Sequence, residues 1–224
     1  MELLFDTLGS ETGTDVVVNA AISVNLSHSV NIGLIGQESH IQSILEQSSV
    51  PLTMFRIVEC TDAVKMDEYA PDVIDANPET SSSVAMMELS SGRSQAFISP
   101  GHTGATVYSA KQNPGLLEQV MRPGLCQILP CAGNRHSLLI DVGASLSADP
   151  VDLVRYGAMA QTTARVLLGI EKPTVGLLNI GHEPSKGDRR LLETHKLMEA
   201  HISDFSGNVE GHEIWAGKSD VVVT

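Results

Sequence analysis

A chain of 224 residues that is 42% hydrophobic can bury a sizeable core, which excludes a disordered chain, and its length fits one large domain or two closely packed lobes. The formal charge of −13 sets the surface as a whole against nucleic acid and anionic lipid, which carry the same sign. Residues 1–121 hold 4 basic and 15 acidic side chains, residues 122–224 hold 10 and 12, so an anionic partner is expected on the second half. Taken singly, Arg155, Arg165, Lys172, Arg189, Arg190 and Lys196 read as solvated helix faces.

The elements follow in chain order. After the acidic opening Met1-Glu2, unlike the basic start of a secretory signal, come a strand at Leu3–Phe5, a helix at Thr14–Leu26, a strand at Asn31–Ile35, a helix at Glu38–Gln47 and a strand at Met54–Glu59. The acidic stretch Thr61–Thr80, with Pro71 and Pro78, reads as an exposed loop, with a functional loop as one reading. Then come a helix at Ser81–Ser90, a strand at Gln95–Ser99, a helix at Thr103–Lys111, strands at Gly124–Leu129 and Ser137–Val142, a helix at Pro150–Leu168, a strand at Thr174–Ile180 and a helix at Asp188–Ala200. Phe205–Lys218, with Gly207, Gly211 and Gly217, reads as an irregular connection to a last strand at Asp220–Thr224. A buried parallel strand normally has a covering helix, so a chain stopping there reads as truncated or unusually compensated. The alternation is that of βαβ units in an α/β fold with a largely parallel sheet, taken as one domain over 1–224. No apolar run approaches the roughly eighteen residues of a membrane span, and a cytoplasmic protein is expected. Cys60, Cys126 and Cys131 have neither framework nor zinc spacing and read as buried reduced thiols. His195 and His201 do not share a helix face and read as surface residues.

Ligands of open parallel sheets bind at the carboxyl ends of the strands, and glycines mark those ends here. The first strand runs into Asp6-Thr7-Leu8-Gly9-Ser10-Glu11, the fourth into Pro100-Gly101-His102-Thr103-Gly104-Ala105. Two later ones run into Asp141-Val142-Gly143-Ala144-Ser145 and Asn179-Ile180-Gly181-His182. Four such turns on one edge would form an anion cradle, because glycine lets backbone N–H groups approach and a following helix offers its positive end. Lys186 would neutralise phosphate charge or simply be an exposed lysine; Thr103 and Ser145 would donate hydroxyl hydrogen bonds or cap helices. G-x-G-x-x-G, Walker A, G-x-S-x-G and H-E-x-x-H patterns are absent, which weakens dinucleotide, P-loop, serine-hydrolase and zinc-hydrolase readings. A phosphate cradle without a protein nucleophile suits attack of inorganic phosphate on an activated acyl group.

Read together, these turns resemble the phosphate acyltransferase (PlsX-like) family of bacterial phospholipid synthesis over nearly the whole chain. Asp6–Glu11 is similar to the family's D-A-M-G-G-D, Gly101–Ala105 to G-N-T-G-A and Asp141–Ser145 to D-x-G-A-N. Met66-Asp67, Ser81-Ser82, the run Gly169–Gly181, Lys186-Gly187 and Gly207-Asn208-Val209-Glu210-Gly211 complete the pattern. The resemblance implies a three-layer fold similar to isocitrate and isopropylmalate dehydrogenases. It also implies a cofactor-free and metal-free homodimer that moves a fatty acyl group from acyl-acyl carrier protein to phosphate for a downstream membrane acyltransferase, with peripheral membrane association in complete members. On this reading His102, Lys186 and Asn179 are catalytic. Asp6, Gly9, Ser10, Gly101, Thr103, Gly104, Asp141, Gly143, Ser145, Gly181, Asn208 and Glu210 bind substrate or phosphate, and the acidic carrier docks near Lys186, Arg189 and Arg190. Departures are also present: Asp75-Ala76-Asn77-Pro78 stand where the family carries cations, His102 replaces an asparagine, and Ser145 and Ser147 replace an asparagine and an aspartate. The family pattern continues past Val221-Val222-Val223-Thr224 into an Asp-Gly-Phe turn and helices. A non-catalytic relative that binds carrier or acyl ligand, and a short-chain acyl-phosphate-forming enzyme, are the alternatives.

Overall fold

The computed structural model describes residues 1–118, 120–145 and 147–224. The chain divides into two compact units, Met1–Gly115 and Leu116–Thr224, each with its own sheet.

In the first unit β1 (Glu2–Asp6), β2 (Asn31–Gly36), β3 (Arg56–Glu59) and β4 (Ala96–Ile98) form a four-stranded sheet in the order β3-β2-β1-β4. Every pairing is parallel. Alternation of side chains along β1 decides the layers. Phe5 points to the face covered by α1 (Thr14–His28) and α2 (Glu38–Gln47), where Val18, Ala21, Leu34, Ile41 and Leu45 are buried. Leu4 points to the opposite face, against Ile35, Cys60 and Ala85 of α4 (Ser81–Ser90). Helices on both faces of a parallel sheet make the three layers expected of this class.

The stretch Thr61–Thr80 departs from the loop expected there. It contains α3 (Ala70–Ala76), whose Ala70 and Ile74 pack with Val64 against Ala105 of α5 (Thr103–Gln112). Pro71 sits in the first turn of α3, where a missing N–H costs nothing. Among the cysteines only Cys60 is buried; Cys126 is exposed and Cys131 intermediate. Burial pushes the Cys60 thiol above its usual pKa, and it donates to the carbonyls of Asp62 and Glu79.

The second unit holds β5 (Cys126–Cys131), β6 (Arg135–Ile140), α6 (Pro150–Leu167), β7 (Val175–Leu178), α7 (Arg189–His201), β8 (Phe205–Val209), α8 (Gly211–Ala216) and β9 (Val221–Val223). Sheet order is β5-β6-β9-β7-β8, parallel except for the β5–β6 hairpin. Phe205–Lys218 is therefore not irregular. Gly207 has φ 86° and the β7–β8 register shifts at Val175/Gly176, so a bulge interrupts the alternation by which a strand is recognised. The last strand lies at the centre of its sheet. Val221 and Val223 pack beneath Tyr156 and Ala160 of α6, and Val222 packs on the other face with Ile214 of α8. Both faces are thus covered by helices that precede β9 in sequence. Among the described residues no helix is long and apolar enough to cross a membrane.

Candidate functional site

The expectation of four turns on one edge is corrected by the presence of two sheets: two turns belong to the first unit and two to the second. In the first unit, parallel β1 and β4 are neighbours, so their carboxyl-end turns lie side by side. Asp6, ending β1, is 2% exposed. Its Oδ1 accepts the N–H groups of Leu8 and Gly9, both at 3.1 Å, and its Oδ2 accepts the Ser99 hydroxyl at 2.7 Å. Ser99 Oγ in turn accepts the N–H of Gly101 at 3.0 Å. One carboxylate thus fixes both turns.

His102 is the N-cap of α5, its Nδ1 accepting the N–H of Ala105 at 3.1 Å. An accepting Nδ1 puts the proton of the neutral ring on Nε2, so His102 presents a donor to its surroundings. This corrects the reading of Thr103 as a cap: the cap is the residue before it, and the N–H groups of Thr103 and Gly104 occupy the exposed first turn of α5. Ser10 pairs with the hydroxyl of Thr12 at 2.8 Å.

Beside the Asp6 turn runs a groove of about 580 Å³, with Leu8–Glu11 on one wall and Thr61–Asp67 on the other. A smaller recess adjoins it, sharing Gly9, Ala63 and Val64, and reaches Asp6, Ser81, Ser82, Ser99 and His102. The sequence marked Thr61–Thr80 as an exposed loop, functional on one reading, without giving residues 61–67 the role of a wall; the run Ser81-Ser82-Ser83 at a helix start was the available signal for the recess floor. Asp75 accepts the hydroxyl of Tyr108 at 2.9 Å and raises the tyrosine's pKa.

In the second unit β6, β9 and β7 are parallel neighbours, so the turns after β6 and β7 share an edge. Asp141 repeats the part of Asp6. Its carboxylate accepts the N–H groups of Leu125, Gly143, Ala144 and Ser145 at 2.8–3.2 Å, and Gly143 takes φ 131°. Ser145 is not a helix cap; Asp149 caps α6 by accepting the N–H of Asp152 at 2.8 Å. The Ser145 hydroxyl accepts from Arg122, which also donates to the carbonyl of Ser147 and lies 3.5 Å from Asp152. Arg122, which composition alone did not single out, therefore supplies a cation at this turn.

The turn after β7 leads into an exposed loop carrying Lys186. Two buried asparagines clamp it. Asn179 accepts the N–H of Ile180 and donates to the carbonyl of Lys186 at 3.0 Å; Asn208 donates to the carbonyl of Glu183 at 2.8 Å. Gly187 has φ 92°, and a β-carbon there would meet Asn179 Oδ1 at 2.9 Å. His195 is buried rather than on the surface: its Nδ1 lies 3.0 Å from Asn208 Oδ1 and its ring meets Phe205 edge-on at 5.1 Å. Gly181 is buried beside this clamp, and Glu210 forms a capping box with Glu213 at the start of α8. His182 stands between Glu210 at 3.7 Å and Glu213 at 3.5 Å. Burial works against the Glu213 charge, but hydrogen bonds from Lys218 and the Glu210 N–H outweigh it and hold that carboxyl below its usual pKa. His102 belongs to the first unit, Asn179 and Lys186 to the second. Among the described residues no group of His, Cys, Asp and Glu side chains is placed to hold a metal ion.

A phosphate acyltransferase of Gloeothece citriformis (strain PCC 7424) is 34% identical over 220 residues, 97% of this chain and 62% of its own length. One of Desulfitobacterium hafniense (strain Y51) is 34% identical over 224 residues, 100% of this chain and 66% of its own length. The chain thus spans slightly less than two thirds of these relatives. Among solved structures, a phosphotransacetylase from Streptococcus pyogenes matches with a TM-score of 0.72 at 15% identity, covering 100% of this chain and 76% of that one. A 4-hydroxythreonine-4-phosphate dehydrogenase from Burkholderia phymatum matches at 0.53 and 15%, covering 99% and 79%. These two likenesses are of fold and agree with the α/β class expected. The model of the family described as fatty acid synthesis protein matches residues 1–224, and the chain belongs to that family.

Proposed function

We propose that this chain takes part in transferring an acyl group from an acyl-carrier-protein thioester to inorganic phosphate, with residues 1–224 acting as one PlsX-like domain. The observation that carries the reading is the similarity along the whole chain to relatives named phosphate acyltransferase. The recess lined by hydroxyls next to a wide groove supports it. A phosphate oxygen attacks the thioester carbonyl carbon, a C–O bond forms, the C–S bond breaks, and the sulfur leaves as a thiolate that takes a proton. His102, with its Nε2 proton, suits donation to the developing oxyanion or the departing sulfur. Lys186, on the second unit, is read as a cation for an anionic substrate. Asn179 acts through the loop it clamps, as a positioning residue. The acidic carrier docks on the less acidic second half, near Lys186, Arg189 and Arg190. We extend the proposal to a cytoplasmic homodimer, peripheral at the membrane, that hands its acyl phosphate to a membrane acyltransferase.

The test is incubation of the purified chain with acyl-carrier-protein thioesters of several lengths, with and without phosphate. Carrier release that depends on phosphate, with acyl phosphate formed in equal amount, is the expected result; carrier binding without release rejects turnover. A non-catalytic relative is the second reading, favoured by the carboxylates of Glu11, Asp62 and Asp67 on the groove against the single cation Lys65.

A further inference from the structure

Helix α1 is apolar on more sides than its sheet uses. Val17, Val18, Ala21 and Ile22 are buried, whereas Val16 and Ala20, one turn apart on the adjoining face, stay exposed, Val16 by 54%. The strand beside them is in the same state. In the parallel pair β1–β4 Phe5 stands opposite Ile98, and partners in register point to one face, as Leu4 and Phe97 do on the other. Phe5 is 7% exposed under α1, but Ile98, on the same side, is 43% exposed. The helical layer thus stops short of β4. Between α1 and β4 it leaves an open groove of about 310 Å³, walled by Phe5, Val16, Val17, Ala20, Ile98 and Pro100.

The polar end of this groove points to its occupant. Ser10 also lines the wide groove beside Thr61–Asp67, and Ser99 also lines the recess that reaches His102. The apolar groove therefore opens onto the candidate site at the Asp6 turn, and a molecule with a polar reacting end and a hydrocarbon tail matches both parts. A polypeptide strand suits the place less well: β4 is three residues long and is followed by Ser99-Pro100, and short edges closed by proline resist pairing. We propose that the groove between α1 and β4 receives the hydrocarbon chain of the acyl substrate, and that Val16, Ala20 and Ile98 set how much of that chain is held. A water molecule's share of liquid volume is about 30 Å³ and a methylene group is of similar size, so the groove holds about ten carbons. This inference rests on the phosphate acyltransferase reading and gives it a subsite for the acyl tail.

The test is calorimetric titration of the full chain with straight-chain carboxylates from hexanoate to hexadecanoate, alongside kcat/KM for carrier thioesters of the same chain lengths. Affinity should rise about twofold to fourfold for each added methylene, the range from half to full burial, and level off near about ten carbons. Ala20→Phe puts a larger apolar side chain at an exposed helix position and should move the plateau to shorter chains. Val16→Glu should weaken dodecanoate about tenfold, the loss of roughly two methylene contacts. Both variants should keep a thermal midpoint near that of the unmodified chain, because neither residue is buried. Absence of carboxylate binding by the unmodified chain, affinity independent of chain length, or a length profile that neither variant moves overturns the inference; thioester turnover with an unmoved profile then leaves the acyltransferase reading standing without it. Length-dependent binding that both variants change, with no turnover, supports the groove and removes the enzyme reading. A dimer that Val16→Glu converts to monomer in sedimentation, with the length profile unmoved, makes this face a contact between copies and overturns the acyl assignment.

Discussion

Gly9 and Gly101 meet backbone to backbone: a β-carbon on either would lie 2.9 Å from the other's Cα, and one on Gly9 would also lie 2.6 Å from Asp6 Oδ2. The glycines of these turns bring two strand ends together. Gly9→Ala and Gly101→Ala should each destabilise the first unit by about 1–3 kcal/mol, the range for forcing extra atoms into a packed site. Urea unfolding followed by far-ultraviolet circular dichroism measures this. An alanine variant with an unshifted midpoint would show that the turns do not depend on the close approach.

Asp141→Ala removes the acceptor of four backbone N–H groups. The turn is partly solvated, so water replaces some of these bonds, and a loss of about 2–3 kcal/mol is expected. Asp141→Asn, which keeps one carbonyl oxygen, should recover part of it. Equal stability of the three proteins in denaturant would refute the assignment of Asp141 as the organiser of its turn.

His195→Ala leaves Asn208 Oδ1 without its partner and removes the edge contact with Phe205. The buried amide should cost about 1–3 kcal/mol, and amide hydrogen exchange should quicken in residues 181–188, which Asn208 and Asn179 clamp. His195→Gln, able to donate to the same oxygen, should restore slow exchange in part. Exchange that stays slow in the alanine variant would separate His195 from the loop.

Acid should weaken the first unit at the end of its sheet remote from the candidate site. Arg56 hydrogen-bonds Glu2 and lies 2.9 Å from Glu88, which also pairs with Arg93. The bond from Arg56 is the main cause lowering Glu2, and the bond from Arg93 the main cause lowering Glu88, both from a reference of 4.5. Carboxyls with lowered folded-state pKa values give stability that is complete above about pH 4.5 and is lost as pH falls through the lower values. Arg56→Ala should therefore raise the midpoint of acid unfolding, followed by circular dichroism between pH 6 and 2, roughly the span of carboxylate titration. An unmoved midpoint would leave these pairs without weight.

The helices Glu38–Gln47 and Ser81–Ser90 fall on the bounds expected; the first carries an apolar stripe of Ile41, Ile44 and Leu45, whereas the second buries serines and Glu88 along with Ala85 and Met86. The strand at Phe205–Val209 was hidden by its bulged glycine. His195 was misjudged by comparing it with His201 alone: Leu191, Thr194, His195 and Met198 follow helical spacing, and the buried set on α7 is Thr194, His195 and Met198. The residues of the candidate site were legible as positions but less so in their roles. Asp6 and Asp141 hold their own turns and also reach Ser99 and Leu125, and the Asn179 and Asn208 amides hold a loop, because long-range hydrogen bonding depends on which strand ends become neighbours. A one-dimensional pattern does not carry that.

The central place of β9 bears on how the chain becomes a protein. In the order β5-β6-β9-β7-β8 the two halves of the second sheet are joined only through Val221–Val223. During vectorial synthesis the first unit has every strand in hand once residue 98 has emerged, while β6 and β7 must wait, apolar edges bare, for residues synthesised more than forty positions after β7 begins. A ribosome stalled short of Val221 would hold one finished sheet and one split in two, and the second would be the part that chaperones recognise.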